Sequence, residues 1–448
     1  MPLLRSGLLF AAGGDVLAKY GTFTRRYQIP QLGGEGYKEV FARAGGATAH
    51  GFLSPGVLGV VPAQTNALRL HYVADPVTGL LQPTLLVDAL GATNSLLQSQ
   101  ALGTTWTPSI LTATNNSGVA PDGTATATLL VPTAVSSAAH RVSQPVTITA
   151  NEFVAFSMYV KVSGYNAVRI QIVDQATNLQ GFILRFDAST GLFGTNNVAG
   201  GGTFTAAAAD ALGNGWYHNM GWGAIGSGIT AATVLIDVFD TIANANANAA
   251  YLGNPNNGVL AWGAQLERNG TVWSRPPTAY IATTVAPAGR NPETLTIPWG
   301  LAPVDMTIYA SGYDLTGQVP NGTNSGLLQM GDTAFVSPRA YFIRNNGWAF
   351  SMINDVGAAR SGNVANATVY GDFYEAICQY GSQGFQMFEA RNGGVVVAGA
   401  VQSAISIGRK WNAQVLTLTP TFGGLYAHRA IKIAAGKVAP SDMQALPV

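Results

Sequence analysis

The stretch Gly258–Thr284, GVLAWGAQLERNGTVWSRPPTAYIATT, constrains this chain more than any other. In its first half Leu260, Trp262, Ala264 and Leu266 recur at every second position, with Val259, Ala261, Gly263, Gln265 and Glu267 between them. A period of two sends alternate side chains to opposite faces, as a half-buried β-strand requires. The second half, SRPPTAYIATT, carries two adjacent prolines. Proline has no N–H to donate, so this half cannot sit inside a ladder. One strand therefore completes a sheet and the chain then leaves it. The residues before this stretch read as one β-domain, and those after it begin another.

Upstream the same period recurs. Phe153–Val162 places Val154, Phe156, Met158, Val160 and Val162 on one face; Val168–Asp174 does so with Val168, Ile170 and Ile172. Gly181–Asp187 adds Phe182, Leu184 and Phe186, and Thr233–Phe239 adds Val234, Ile236 and Val238. Each large apolar side chain contributes ~1.5–3 kcal/mol when buried. Strands like these close a core by packing two sheets face to face. Between them lie Gly200–Gly202, an alanine run ending at Asp210, and ANANANAA from Ala243. These read as loops, with a short helical turn open to the alanine-rich sequence.

Downstream of Arg290 a second β-pattern starts: Leu295, Ile297 and Trp299, then Met306, Ile308 and Ala310, then Tyr341 and Ile343, then Trp348, Phe350 and Met352 after an Asn345–Gly347 turn. Asn392–Gly393 between Gly384–Ala390 and Val395–Val397 is hairpin chemistry, because both residues tolerate positive φ. Leu425–Ile433 reads as a late core strand, and Ser441 as the N-cap of a last helical turn. Before the first domain, Leu68–Val73 alternates as a strand and Asp75–Gly79 is a turn. Residues 1–66 lack enough periodic apolar sequence for a core of their own, and GEGYKEVFARA reads as a short helix with Val40 and Phe41 inward. Such a segment orders by packing on something else. The expected fold is all-β: two tandem antiparallel β-sandwich (jelly-roll) domains, 89–285 and 286–448, preceded by a lead-in, 67–88, and an irregular N-terminal arm, 1–66.

Composition narrows the function. Only 10% of the 448 residues are charged, against roughly 25% in ordinary soluble domains. Such a surface suits a component of a larger assembly. The net charge of +1 provides no field for nucleic acid or an acidic membrane. No run approaches the ~18–20 apolar residues of a membrane helix, so neither nucleic acid nor membrane insertion is expected. The single cysteine, Cys378, reads as a buried structural thiol. The five histidines are far apart and show no metal-ligand spacing, and no cofactor is expected. Gly221–Gly226 matches GxGxxG but lacks the strand-to-helix context that a nucleotide loop needs. Asp174, Asp187, Asp237 and Glu267 sit at strand ends or outward faces with no pairing for acid–base hydrolysis, and read as solvated charge. No enzyme is expected.

One resemblance goes further. LRLHYVADPVTGLLQPTLLVDALGATNSLLQSQAL resembles the lead-in to a carbohydrate-binding-module-like jelly roll in a family of tailed-bacteriophage virion proteins. APDGTATATLL, HRVSQPVTITANEFVAFSMYVK, the GNGWY at Gly213–Tyr217, and LAWGAQLERN with PTAYIATT come next, in the family's order. Residues 290–448 resemble, mainly through RNPETLTIP and AIKIAAGKVAPSDMQAL, the concanavalin A/laminin G-like sandwich that often comes after it. The chain departs where the family commonly has Arg before "TNLL": here Gly91, Ala92, Thr93 and Asn94 stand, and Asp88 replaces the family's glutamate. The resemblance implies a virion structural protein on the particle surface: a tail fibre or minor tail protein, or a capsid decoration or head-fibre protein, with a polysaccharide depolymerase as the remote alternative. Expected partners are other virion proteins through the N-terminal arm, further copies in a homotrimer, and bacterial surface glycan.

Glycan binding by β-sandwiches uses exposed aromatic platforms, and the candidates are Trp222, Trp273, Trp216 and Tyr217. For Trp222 and Trp273, flanked by Gly, Asn and Ser, platform and core packing are both open. Trp262 and Trp299 read as core, and Trp106 as an edge plug.

Overall fold

The computed structural model describes residues 25–28, 40–43, 49–54, 57–61, 69–88, 91–271, 274–298, 306–315, 325–331, 339–344, 348–353, 359–364, 370–381, 384–403, 415–418, 425–435, 437 and 439–445. Among these residues every ladder between strands is antiparallel, and two short helices occur, Ile242–Ala247 and Pro440–Ala445. Four large sheets form two β-sandwiches. The Asn345–Gly347 turn, Trp273 and Trp299 lie outside the described residues.

The first sandwich is made from a continuous stretch. Its eight-stranded front sheet runs Thr203–Gly213, Trp216–Ala224, Phe153–Ser163, Gly258–Arg268, Ala127–Pro132, Leu111–Gly118, with Ala92–Asn94 and Ala288–Arg290 attached beside Gly258–Arg268. Its seven-stranded back sheet runs Leu192–Phe193, Gly181–Asp187, Ala167–Asp174, Ala231–Phe239, Arg141–Thr147, Thr107–Ser109, with Asn197–Ala199 on Gly181–Asp187. Val154, Phe156, Met158 and Val160 of the front sheet meet Val168, Ile170, Phe182, Leu184, Val234 and Ile236 of the back sheet in one buried core. The alternation read from these strands is the alternation observed, except that Val162 is exposed beyond the core's edge.

The second sandwich is not contiguous, and this corrects the linear division of the chain. Its nine-stranded sheet places Arg69–Ala74 and Leu81–Asp88 beside Leu425–Ala435, followed by Met306–Asp314, Phe373–Gly381 and Gly384–Arg391. Arg25–Gln28 also pairs with Leu425–Ala435, and Val40–Arg43 pairs with Glu293–Pro298 in the partner seven-stranded sheet. The segments read as arm and lead-in therefore supply strands to the C-terminal sandwich, and residues 91–290 are an insertion between its two parts. Where a helix was expected, Val40–Arg43 is a strand, because a ladder partner far along the chain outweighs local helix preference. The two connections between sandwiches are themselves paired, Ala92 to Arg290 and Asn94 to Ala288, forming a two-stranded neck. At its base Arg290 and Glu293, both fully buried, approach to 3.6 Å.

Two further corrections concern strand identity. The alanine run is no loop: Thr203–Gly213 is an edge strand paired along its length with Trp216–Ala224. Asn214 and Gly215, at φ 50° and 76°, make the tight turn that folds the two together. Alanine is a weak strand former, and the ladder overrides that preference. The second change is in Gly258–Arg268. Its pairing with Phe153–Ser163 slips by one residue between Ser157 and Tyr159, and Gly263 sits at φ +67°. This β-bulge reverses the faces. Val259 and Ala261 before it, and Ala264 and Leu266 after it, point into the core between the sheets. Trp262 belongs to a separate cluster on the front sheet's outer face. A Cβ on Gly263 would stand 2.9 Å from the Tyr159 ring, so glycine is required by space as well as by φ.

Candidate functional site

The outer face of the front sheet collects what chemistry the first sandwich offers. Register places Ala206, Trp222, Ala155 and Glu267 in one row across four strands, and Ala208, Met220, Ser157 and Gln265 in the next. The third row is Asp210, His218, Tyr159 and Trp262. These are the outward positions, which an isolated sheet would present to solvent.

They are roofed instead. The proline-bearing segment after Gly258–Arg268 turns back and crosses this face as a strap. Ser274–Thr278, Tyr280, Ile281 and Thr283 are buried. Glu267, fully buried, holds the strap: its Oε1 accepts from the Thr278 N–H (2.7 Å), the Thr278 hydroxyl (2.6 Å) and Gln265 Nε2 (2.7 Å). Arg275 stands 3.4 Å from its other oxygen. Gln265 Oε1 accepts from the Ile281 N–H at 2.6 Å. Asn94, at the neck, donates to the carbonyls of Ala264 and Ile281 while its Oδ1 accepts from the N–H groups of Leu96 and Leu266. Tyr280 then lays its ring 4.7 Å from Trp262 and shares a 2.6 Å hydrogen bond with Ser99. Prolines keep the strap out of any ladder, so side chains carry the hydrogen bonding that a strand would carry through its backbone.

Beyond the strap, the second sandwich completes the roof. Ala279 of the strap packs on Val73, Tyr313, Leu315 and Phe373. Tyr370 sets its ring 5.9 Å from Trp222 and its hydroxyl 3.8 Å from Met220 Sδ. Asp75, in the Asp-Pro-Val-Thr-Gly turn, accepts from the N–H groups of Val77 and Thr78 and from the Tyr313 hydroxyl at 2.9 Å. Burial pushes the Asp75 carboxyl up, but the hydrogen bonds from Thr78, Tyr313 and Val77 together hold it below its ordinary value.

A second titratable cluster lies at the edge of this face. Asp210 Oδ2 is 4.0 Å from His218 Nδ1, and the His218 ring stacks on Tyr159 at 4.3 Å and 12°. Burial pushes the Asp210 carboxyl up to about 6, against a hydrogen bond from Tyr370 that lowers it. Burial likewise raises Tyr159 and Tyr370 far above the usual phenol range. A carboxyl held near 6 beside an imidazole can take and release a proton near neutrality.

Among the described residues, the aromatic platform candidates offer little ring surface. Trp222 is 1% exposed and Trp216 4%, so neither offers a ring face to a ligand. Trp222 lies under Tyr370, and Trp216 donates from Nε1 to the Val119 carbonyl at 3.2 Å. Tyr217 faces the opposite way, half-buried, with its ring 5.8 Å from Phe186 at the core's margin. Trp106 is core, its Nε1 bonded to the Leu97 carbonyl. The acids read as solvated are also corrected: Asp174, Asp187, Asp237 and Glu267 are all buried and take hydrogen bonds from protein groups. Cys378 is buried in Phe373–Gly381, and burial raises its thiol well above the usual range. Asp210, His218, Tyr280 and Tyr370 were not singled out from the sequence; strand pairing, strap and insertion bring them together. Among the described residues no cluster of His, Cys, Asp and Glu is arranged for a metal, and no helix is long and apolar enough to cross a membrane.

No protein-family model matches this sequence. No curated protein matches it either. Among solved structures it is similar to domains LG4-5 of the mouse laminin alpha1 chain, with a TM-score of 0.20 and 10% identity, covering 67% of this chain and 88% of that one. A likeness at that score says nothing of this chain's ligands or partners.

Proposed function

We propose that this chain is a non-enzymatic structural component of a tailed-phage virion, exposed on the particle and joined to other virion proteins through its N-terminal segment. One observation carries the reading. The motifs that succeed one another in the order of the phage family are the residues that close and fasten the first sandwich. Asn94, Gln265, Glu267, Thr278 and Tyr280 all come from those motifs, and all tie the strap to the front sheet. Side chains committed to buried hydrogen bonds serve architecture, not turnover.

Within that reading a coat or decoration role is favoured over a glycan-binding fibre. The aromatic face of the first sandwich is filled by its own strap and by the second sandwich, with Trp222 and Trp216 buried. Glycan recognition would need another surface. A homotrimer is the expected assembly, since virion components build symmetric oligomers.

Antibody raised against residues 290–448 and applied to intact particles of the encoding phage tests both levels. Label spread over the capsid is expected. Label confined to the tail or its tip would move the function to host adsorption. Absence of the chain from purified virions, by labelling and by mass spectrometry, would overturn the virion reading altogether.

A further inference from the structure

The Gly213–Tyr217 motif is only partly used by the front sheet's packing. Its first three residues form the exposed tip of the edge hairpin: Gly213 pairs with Trp216, and Asn214 and Gly215 make the two-residue turn between them. Asn-Gly suits such a turn because both residues accept positive φ. The same pair is chemically weak. The glycine nitrogen and the asparagine's side-chain carbonyl carbon can close a five-membered ring, and glycine has no Cβ to hinder their approach. Whether they meet is decided by how firmly the fold holds the two groups apart.

Among the described residues Asn214, Asn257, Asn269 and Asn392 are each succeeded by glycine, and the last three are locked. Asn392 donates from Nδ2 to Asp372 Oδ1 at 2.8 Å, and its Oδ1 accepts from the Phe373 N–H at 2.8 Å. Asn269 donates to the Arg275 carbonyl at 3.0 Å, and its Oδ1 is buried. Asn257 packs against Gly164, and the glycine after it, Gly258, is buried and paired in the ladder with Ser163. Asn214 differs from all three. It is exposed, as are Gly213 and Gly215 on either side. No described residue bonds to its side chain, and none accepts from the Gly215 N–H, which lies in the turn and outside the ladder. With glycine at φ 84° and 76° on its two sides, the turn's peptide swings at little steric cost. Lys161 lies alongside, its Cε 3.5 Å from where a Gly215 Cβ would stand. An ammonium there favours negative charge developing at the turn.

We propose that Asn214–Gly215 is a self-modification site left open by the fold, at which the chain converts its own asparagine, through a cyclic imide, to isoaspartate and aspartate. The inference does not rest on the virion reading.

The step needs only water. Hydroxide takes the Gly215 amide proton, and the nitrogen adds to Asn214 Cγ. The Cγ–Nδ2 bond then breaks, and Nδ2 leaves as ammonia with a proton from water, which restores the hydroxide. Water next opens the imide on either side. Breaking the bond from nitrogen to the main-chain carbonyl carbon gives isoaspartate; breaking the bond to Cγ gives aspartate. Either product replaces a neutral amide by a carboxylate beside Lys161. The aspartate keeps the turn, because Asp-Gly has the same conformational freedom. The isoaspartate routes the backbone through one more carbon than a two-residue turn holds, and strains the Gly213–Trp216 closure.

The test ages the full folded chain in mildly alkaline buffer, beside a second sample unfolded in urea. Proteolytic peptides covering Asn214, Asn257, Asn269 and Asn392 are then compared by mass spectrometry, with electron-transfer fragmentation to tell isoaspartate from aspartate. In the folded chain Asn214 should convert about tenfold faster than each of the other three, since releasing even one side-chain hydrogen bond costs up to about that factor. In urea the four rates should converge, because the protection of the other three belongs to the fold. Isoaspartate should be present among the products at 214, and the rate there should rise with pH. Equal rates at the four sites in the folded chain overturn the proposal. So does a tenfold preference for Asn214 that persists in urea, which would place its cause in local sequence. Aspartate without isoaspartate overturns it as well, since that is direct hydrolysis of the amide and not closure of the ring.

Discussion

The two outer faces of the first sandwich solve one problem in opposite ways. Each sheet buries its apolar set inward and must dispose of the alternate positions. On the back sheet one row of them is charged. Asp237, fully buried, lies in a row with Arg141, Arg169 and Arg185. It accepts from Arg141 Nε at 2.7 Å, Arg169 Nε at 3.0 Å and Gln171 Nε2 at 2.9 Å. Arg185 turns instead to the Ala245 carbonyl at the end of helix Ile242–Ala247. On the front sheet the alternate positions are mainly aromatic or small, and one carboxylate, Glu267, is used to bind a cover. Charge is neutralised sideways within the back sheet; apolar surface on the front has to be roofed. Hence the front face meets the second sandwich, and a binding platform cannot be inferred from aromatic content alone.

The comparison can be broken by removing the organising carboxylate of each face. Asp237→Ala leaves two partnered guanidiniums without their anion in a buried row. It should destabilise the first sandwich by about 3–5 kcal/mol, measured by urea denaturation, with the strap still resistant to protease. Glu267→Gln keeps the size but replaces a charged acceptor by a neutral amide. A loss of about 2–3 kcal/mol is expected, accompanied by protease cleavage within 274–283. If Asp237→Ala exposes the strap equally, the two faces are not independent.

A smaller effect sharpens the role of the bulge. Gly263→Ala adds a Cβ near the Tyr159 ring at a left-handed backbone position. It should cost about 1–3 kcal/mol by thermal unfolding. An unchanged transition would mean the bulge is not what turns Trp262 outward.

The smallest effect is in acid. Asp174 closes its turn by accepting from Thr177, Leu179 and Gln180. Burial acts to raise its carboxyl, and those hydrogen bonds together bring it below its ordinary value. Its folded-state pKa is depressed, so its contribution is full above about pH 4 and is lost as pH falls through the folded value. Asp174→Asn should flatten that acid limb of the stability profile, followed by urea denaturation as pH is lowered.

Much of the fold was legible because local period and sheet face coincide. The strands Phe153–Ser163, Ala167–Asp174, Gly181–Asp187 and Ala231–Phe239 agree with the alternation to within two residues at their ends. The Asn392–Gly393 turn joins Gly384–Arg391 to Val397–Ala398 as its residues require. The site was legible only in part. Glycine at 263 interrupts an otherwise regular run, and a glycine inside a strand pattern is the accepted sign of a bulge. Read by period alone, the run keeps Trp262 on one face with Ala264 and Leu266, and the bulge separates them. Nothing local marks Tyr370 as a neighbour of Trp222, because their contact spans two sandwiches.

By itself, then, the sequence determined that this chain is β-structured, where most strands of the first sandwich lie, which side chains share a face in its unbulged strands, and that two prolines end the ladder after Arg268. These features arise from dihedral limits and side-chain period, which act over a few residues. Tertiary structure alone decided which strands share a sheet. It drew Arg69–Ala74 and Leu81–Asp88 to Leu425–Ala435, made a strand of an alanine run, and laid the strap over the tryptophans. Pairing across hundreds of residues is chosen by the total burial and hydrogen bonding of the finished sandwich, and no short window of sequence contains that sum.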